Sequence, residues 1–553
     1  MRKPPSPPAL ARSLALGAAL LLGGPAAAEG ALLAGVTGFE LAVAEAVHGG
    51  DRDGAVAAFY RERGFAPLWT SGDASGRARL EALLAAMARA GDHGLPAARF
   101  DPGALHARLA AVRTPAEAGA AEIAVTQAFL DYAAALSSGL TDPARIARDV
   151  MVREVPRRDP RALLDLMASE EPAAVLRGLA PRSPEYARLM GHKARLAAAV
   201  RRGGWGPAVA ADRLAPGDEG PGVVALRDRL RAMGFLGRAL SPRYDAALTA
   251  AVRDFQRATG LAEDGVAGPA TIRAANVPAE ARMGQVLVAM ERERWMNAPR
   301  GGRAIWVNLP DFSAAILDDG VETFRTRAVI GKAEAGRYTP EFSDEMTHMV
   351  VNPSWYVPRS IVVGEYLPQL RANPGAVPHL EIRDRNGRPA NRGAGFSQYT
   401  ARTFPYAMRQ PPGPKNALGL VKFMFPNKYN IYLHDTPAKS LFDREERAFS
   451  HGCVRLHRPF DFAHALLAAQ EDDPEGAFRR ALDGGAERRI DLEAPVPVHI
   501  VYRTAFTDAK GGLHFRADVY GRDALVLAAL RAEGVDPLRI AGAAALAEED
   551  RAG

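Results

Sequence analysis

One cysteine, Cys453, occurs in 553 residues. A single thiol has no partner within the chain, so no disulfide framework holds this protein together. Long apolar runs are also scarce. Beyond the N-terminal stretch no segment approaches the roughly 18 consecutive apolar residues of a membrane-spanning helix, which excludes an anchor in the remainder of the sequence. Dense Lys/Arg clusters with interleaved aromatics are missing, and a net charge of +6 is small for this length. Both features argue against a nucleic-acid partner, while a pI near 9.4 suits an acidic one.

What is present describes an exported, multidomain globular protein. Apolar content of 48% and charged content of 24% are ordinary for a soluble chain, and the length predicts three or four domains. Arg2, Lys3 and Arg12 precede the apolar stretch 14–22, and Ala26-Ala27-Ala28 forms a small-residue exit. That order reads as a secretory signal over 1–28, its apolar part too short to span a bilayer, with cleavage after Ala28 expected and an uncleaved anchor as the alternative. Outside the cytoplasm an unpaired cysteine stands out as a reactive thiol, an intermolecular link, or a small buried apolar residue.

Residues 29–205 read as a helical scaffold domain, with apolar residues at helical spacing in 77–90 and 120–138. The segment 59–69 reads as a turn packing aromatics, and His93 beside Gly94 as a helix end or surface position. Glycine and proline at 202–207 and 216–218 mark a boundary. A compact unit follows over 216–277, with a stripe of Val223, Leu226, Leu230 and Met233, a second at Leu248, Val252 and Phe255, and a short helix from Ala270 to Ala275. A linker helix is expected over 278–302. From 303 the period turns to alternation, and Asp318-Asp319-Gly320 signals a hairpin. Strands are expected over 346–352, 420–425 and 430–433, and Ser360 is placed to cap a helix over 361–370. Residues 371–414 lose periodicity and read as a lid inserted in the domain 303–493. The end, 494–553, reads as a strand pair over 496–506 and 513–519 followed by a helix packing on the scaffold or catalytic domain.

The chemistry concentrates at Ser450-His451-Gly452-Cys453-Val454-Arg455. A cysteine nucleophile needs a base or a positive field to raise its thiolate fraction, and donors for the oxyanion formed on attack. His434, behind the apolar run Ile431-Tyr432-Leu433, can supply the base, and a group on its other ring nitrogen must hold the tautomer. Gly452 allows the tight turn that lets N–H groups of His451, Gly452 and Cys453 converge. A metal site at His434, His451, Cys453 and His457 is disfavoured, because His451 and His457 lack the spacing of a helical ligand pair and zinc would tie up the thiolate.

His434 followed by sixteen residues and Ser450-His451-Gly452-Cys453-Val454-Arg455 resembles the signature of the L,D-transpeptidase (YkuD-like) catalytic domain. The segments Asn352-Pro353-Ser354-Trp355-Tyr356-Val357-Pro358, Asn416-Ala417-Leu418-Gly419 and Lys422-Phe423-Met424-Phe425-Pro426-Asn427 agree with it. Phe255-Gln256, Gly260-Leu261, Asp264-Gly265 and Gly268-Pro269-Ala270-Thr271 resemble the three-helix peptidoglycan-binding domain of cell-wall enzymes. The domain order is similar to the large multidomain Gram-negative branch of the family. The resemblance implies a multidomain α+β fold: helical scaffold, peptidoglycan-binding domain and mainly β catalytic domain with a lid. It implies Cys453 as nucleophile, His434 as general base, and Asp435 orienting that base through its backbone carbonyl. His451, Gly452 and Cys453 then supply the oxyanion hole from their backbone, and Tyr432, Trp355 and Arg455 line the substrate pocket. Arg455 departs from the family pattern, standing where many relatives carry asparagine.

The implied reaction joins peptidoglycan stem peptides in the periplasm through a Cys453 thioester, giving 3→3 cross-links, without cofactor or metal and with sensitivity to carbapenem-type inhibitors. The acceptor stays open: a second stem, water (carboxypeptidase or endopeptidase action), or a protein amine that tethers outer-membrane proteins to the wall. In a different class, a non-catalytic peptidoglycan-binding protein would rely on 216–277 alone.

Overall fold

A computed structural model describes residues 38–46, 51–238 and 241–542; the expected signal 1–28 and the last eleven residues lie outside these. The N-terminal part is helical. Its longest helix, Pro115–Ser138, starts on a reciprocal cap in which Thr114 and Glu117 satisfy each other's backbone N–H groups. On this helix the buried Glu122 carboxylate accepts the N–H groups of Leu68, Trp69 and Thr70 and the Tyr60 hydroxyl. Phe59 and Tyr60 themselves belong to the helix Asp51–Glu62, so the expected aromatic turn is shorter, and it is Glu122 that organises it. His93 ends the short helix Ala90–His93, closed by Gly94 at φ +70°, and is half-buried rather than on the surface. Its Nδ1 lies 3.2 Å from the Tyr186 hydroxyl, and burial pulls the imidazole down to about 4.

The compact unit has helices Pro221–Ala232, Ala246–Thr259 and Pro269–Ala275 around one apolar core. Its turns explain the residues that drew attention. Gly260 and Gly265 sit at φ +73° and +75°, where a side chain is strained. Gln256 donates to Asp264 and to the Val266 carbonyl and accepts the Gly265 N–H.

The expected linker is a hub. The helix Ala279–Arg294 is buried along most of its length, packed against the helices Pro184–Arg201 and Arg522–Ala532. Its last turn, Glu291-Arg292-Glu293-Arg294, is wholly buried and charge-paired. Glu291 accepts the Thr141 N–H, Arg292 pairs with Glu341 and Asp523, Glu293 with Arg300 and Arg503, and Arg294 with Glu291.

The following strands are β1 (Arg303–Asn308), β2 (Ser313–Asp318), β3 (Val321–Gly331), β4 (Phe342–Val351), β5 (Trp355–Tyr356), β6 (Glu381–Arg383), β7 (Ala407–Gln410), β8 (Val421–Met424), β9 (Leu433–His434), β10 (Ala448–Ser450), β11 (Val454–Leu456) and β12 (Arg488–Val501). The main sheet has the order β10-β3-β11-β9-β8-β4-β12-β1-β2, and β2 returns to pair with β3. The ring is thereby closed into a barrel with no free edge between those two strands, its interior filled by residues such as Ile305, Met349, Phe423 and Val454. The hairpin at 318–320 forms as expected.

Four boundaries differ from the sequence reading. β12 runs through the expected limit at 493/494 and lies between β4 and β1, so the second strand pair shrinks to a hairpin, Ala505–Thr507 with Leu513–Phe515. The lid is a folded cap. Strands β5, β7 and β6 form a separate sheet, and Trp355, Leu370, Phe396, Phe404 and Met408 share a core of their own. Ser360 is no cap, because the extended Pro358 opens the helix at Arg359; the backbone then widens into a π-helical turn over Val362–Tyr366. The strand expected over 430–433 pairs only at Leu433 and His434, since Asn430 adopts φ +54°.

Candidate active site

Pairing of β9 with β11 assembles the site. The two strands are parallel, with Val454 opposite Leu433 and Arg455 opposite His434, and the Val454 N–H donates to the Tyr432 carbonyl at 3.1 Å. Alternate residues of neighbouring strands share a face. Leu433 and Val454 therefore enter the barrel core, while Tyr432, His434, Cys453 and Arg455 occupy the opposite face. Contacts among them agree: the Tyr432 and His434 rings are 5.6 Å apart, and the Tyr432 hydroxyl is close enough to the sulfur for each to influence the other's ionisation. Tyr432 also packs against the cap core to which Trp355 belongs.

His434 is buried, and its Nδ1 lies 2.5 Å from the Asp435 carbonyl. A carbonyl only accepts, so Nδ1 carries the proton and Nε2 is left as the basic nitrogen. The Asp435 carboxylate is engaged elsewhere. It accepts the Leu420 N–H at 2.9 Å, pairs with Lys439 at 2.6 Å and packs on Gly419, where any Cβ would come within 2.2 Å of its Oδ2. That contact accounts for the glycine in Asn416-Ala417-Leu418-Gly419. Asn416 ties the same loop to the start of the cap, donating to the carbonyls of Pro353, Gln410 and Pro411.

The loop before β11 is held by its own side chains. Ser450 Oγ donates to the Cys453 carbonyl at 2.5 Å and accepts the Gly452 N–H at 3.1 Å. Thr339 donates to the Gly452 carbonyl. Gly452 has φ +117°, and a Cβ there would press on Ile431 and the Tyr338 carbonyl, so only glycine fits. Of the three expected oxyanion donors, the Gly452 N–H is thus already engaged by Ser450. The side chain of His451 turns away from the sulfur to Glu365 in the cap, with Nε2 2.5 Å from Oε1, and Arg337 pairs with the same oxygen at 2.7 Å. Glu365 and Arg337 had no signal in the sequence: Glu365 falls in the helix expected over 361–370 but far from the motif, and Arg337 lies between expected strands. Ser450 stood in the motif but without a role.

The electrostatics are those of a neutral pair. Burial is the main cause pushing the Cys453 thiol up to about 11, against hydrogen bonding from Tyr432 and the charge of Arg455. Burial, with Arg455 second, pulls His434 down to about 3. At pH 7 roughly one thiol in 10⁴ would be ionised at such a value. The sulfur contacts the Asn430 carbonyl at 3.5 Å, and no hydrogen bond joins it to His434 among the described residues. Arg455 brings a largely enclosed guanidinium whose Nε lacks a hydrogen-bond partner; no carboxylate pairs with it among the described residues. No group of three or more His, Cys, Asp or Glu side chains suited to a metal ion occurs among the described residues.

Residues 302–482 match the family model described as "L,D-transpeptidase catalytic domain" (YkuD), residues 219–275 that described as "Putative peptidoglycan binding domain", and residues 54–191 that described as "Scaffold domain". A curated Haemophilus influenzae protein named "Putative L,D-transpeptidase" is 30% identical over 238 residues, covering 43% of this chain and 48% of that protein. The chain thus spans about half the length of this curated relative. Two solved structures, the L,D-transpeptidases of Xylanimonas cellulosilytica (residues 123–326) and Stackebrandtia nassauensis, are 18% and 14% identical. They cover 53% and 54% of this chain and 98% and 97% of their own, with TM-scores of 0.16 and 0.21, values too low to extend the comparison of folds. Residues 302–482, which hold the Cys453 face and all of the barrel but β12, thus match the L,D-transpeptidase catalytic domain family, in a chain that also matches a peptidoglycan-binding domain and a scaffold domain.

Proposed function

We propose that this protein is a periplasmic peptidoglycan L,D-transpeptidase that forms 3→3 cross-links through a thioester on Cys453. The observation that carries the reading is the shared face of β9 and β11, which gathers Tyr432, His434, Cys453 and Arg455 within the matched catalytic domain. The donor is a tetrapeptide stem. As sulfur attacks the carbonyl carbon of its third residue, diaminopimelate, His434 Nε2 takes the thiol proton, and the Asp435 carbonyl steadies the imidazolium. The N–H groups of His451 and Cys453 face the developing oxyanion. Collapse breaks the amide bond; the imidazolium protonates the departing nitrogen, and D-alanine leaves. The side-chain amine of a second stem's diaminopimelate then attacks the thioester, gives up a proton to His434, and the thiol is restored.

Because thiol and imidazole both start neutral, deprotonation and attack proceed together rather than from a stored ion pair. Arg455 supplies a positive field to the sulfur and an unpaired guanidinium for a stem carboxylate. Trp355 and Tyr432 join the cap to the nucleophile, and a closed cap excludes water in favour of the amine. The charged, apolar and small-residue order of 1–28 supports export, and carbapenems are expected to acylate Cys453. The test is mass spectrometry of products from defined tetrapeptide donors with and without an amine acceptor. The intact chain should yield a thioester adduct and cross-linked product, and the Cys453→Ala chain neither. Cross-links from the Cys453→Ala chain would overturn the assignment.

A further inference from the structure

A cavity of about 570 Å³ lies away from Cys453, enclosed by the end of the scaffold helix Pro184–Arg201 and the segment after it, the helices of the peptidoglycan-binding domain, and the hairpin 505–515. Its volume is in the range that holds a disaccharide or short peptide. Two of its acids are already paired: Asp254 with Arg257 at 2.7 Å and Asp508 with His514 at 2.9 Å. Three lining guanidiniums are left without a carboxylate among the described residues. Arg195 and Arg202 are exposed at the cavity wall. Arg282 lies 4.4 Å over the Phe515 ring and donates only to the neutral Gln285 side chain and the Ala274 carbonyl.

Two further polar atoms in the wall, the Trp205 indole N–H and the His514 Nδ1 ring nitrogen, are buried and unsatisfied, a condition that costs free energy unless a ligand or solvent completes it. Phe235 and Phe255, in edge contact at 5.4 Å, join Phe515 as apolar surfaces. Uncompensated guanidiniums recognise carboxylates, and aromatic rings with a free indole N–H suit the mixed apolar and hydroxylated faces of a sugar.

We propose that this cavity is a second binding site, taking a carboxylate-bearing muropeptide segment of the wall polymer at the seam between scaffold and peptidoglycan-binding domain. The inference rests on the reading that peptidoglycan is the polymer handled here. Its position lets one strand be held by three parts of the chain at once, at a distance from the nucleophile.

The experiment is calorimetric titration of the full chain carrying Cys453→Ala with a disaccharide–tetrapeptide. Because no turnover is needed, a failure of Cys453 to acylate would sink the catalytic reading without touching this one. Reversal of the two exposed charges, Arg195→Glu with Arg202→Glu, should weaken binding at least tenfold. Trp205→Phe, which keeps the ring and removes the N–H, should weaken it by a smaller factor, with thermal unfolding of each variant checked against the parent. Free tetrapeptide binding that the Arg195→Glu, Arg202→Glu variant loses would assign the carboxylate to the stem, and peptide-free muramyl glycan binding lost in the same way would assign it to the sugar; either loss supports the site. Unchanged affinity in both variants, or an uncharged chito-oligosaccharide binding as tightly as the muropeptide, would overturn it.

Discussion

At the residue scale, the state of two protons decides how Cys453 works. A thiol near 11 beside an imidazole near 3 means that the reactive pair is fully present across the whole interval between those values. Above the lower value His434 is unprotonated and able to accept; below the upper one Cys453 keeps the proton it must give. The acylation rate by a carbapenem, followed by stopped flow, should therefore be flat from about pH 5 to 9, with no inflection near the ordinary histidine value of about 6.5. His434→Gln should lower the plateau by about 10²–10⁴-fold, the usual worth of a general base. It should also leave a rate that climbs tenfold per pH unit, because only preformed thiolate then reacts. An acid limb centred at 6 to 7 in the intact enzyme would mean that the two groups store an ion pair instead. Asp435 enters this scheme only through its carbonyl, since its carboxylate is held by Leu420 and Lys439.

At the element scale, the cap and the catalytic loop meet through one carboxylate. Glu365 lies in the π-helical turn and receives both His451 and Arg337. A widened turn re-aims side chains relative to a regular helix, and here the carboxylate it presents lands on the loop that carries Cys453. Glu365→Gln should weaken this latch without disturbing the cap's own core. Hydrogen exchange across 362–383 should quicken, and so should alkylation of Cys453 by iodoacetamide; unchanged exchange would remove the latch from the account. This contact also marks where the sequence stopped being readable. Helices with caps and long periodic faces, such as 115–138 and 246–259, and the hairpin at 318–320 announce themselves locally. The cap does not: its strands span two to four residues, too few to display alternation, and its core draws Trp355, Phe396, Phe404 and Met408 from positions with no common period. At the site, the motif named Cys453 and His434, and β-pairing then supplied their shared face. Asn430, Thr339 and Glu365 were invisible because their roles exist only after the chain has closed on itself.

At the scale of the whole molecule, two features bind the parts into one unit. The first is the buried last turn of the helix Ala279–Arg294. Burial acts to raise the Glu293 carboxyl, but Arg503 and Arg300 outweigh it and hold the group down to about 2. A depressed carboxylate adds stability above its unfolded value of about 4.3 and loses it as pH falls through the folded one. The contribution is on the order of 3 kcal/mol. Denaturant melts from pH 6 to 2.5 should show that stability falling in the intact protein. The Glu293→Gln protein should be less stable at pH 6, and the gap between the two should narrow toward pH 2.5; a constant gap would mean that charge is not what Glu293 contributes.

The second feature is the path of β12. The family match ends at residue 482, yet the barrel is completed only by residues 488–501, paired antiparallel to β4 and parallel to β1. Without them β4 and β1 each present an open row of N–H and C=O groups, and the core formed by Leu492, Val496, Val498 and Ile500 is lost. Unpaired edges beside exposed apolar surface favour aggregation over folding. The scaffold loses a partner as well, since Arg153 donates to the Ile500 carbonyl at 2.8 Å and to Ser343 at 2.5 Å. A chain ended at residue 487 should therefore contain the whole Ser450–Arg455 motif and still have no folded catalytic domain. Limited proteolysis should find no resistant core over 303–467, and Cys453 should not be acylated by a carbapenem. A protease-resistant, acylated fragment would show that the strands upstream close the barrel unaided. The expected failure would place the decisive contact of the catalytic domain some 35 to 50 residues beyond its nucleophile, in a strand that carries no catalytic residue.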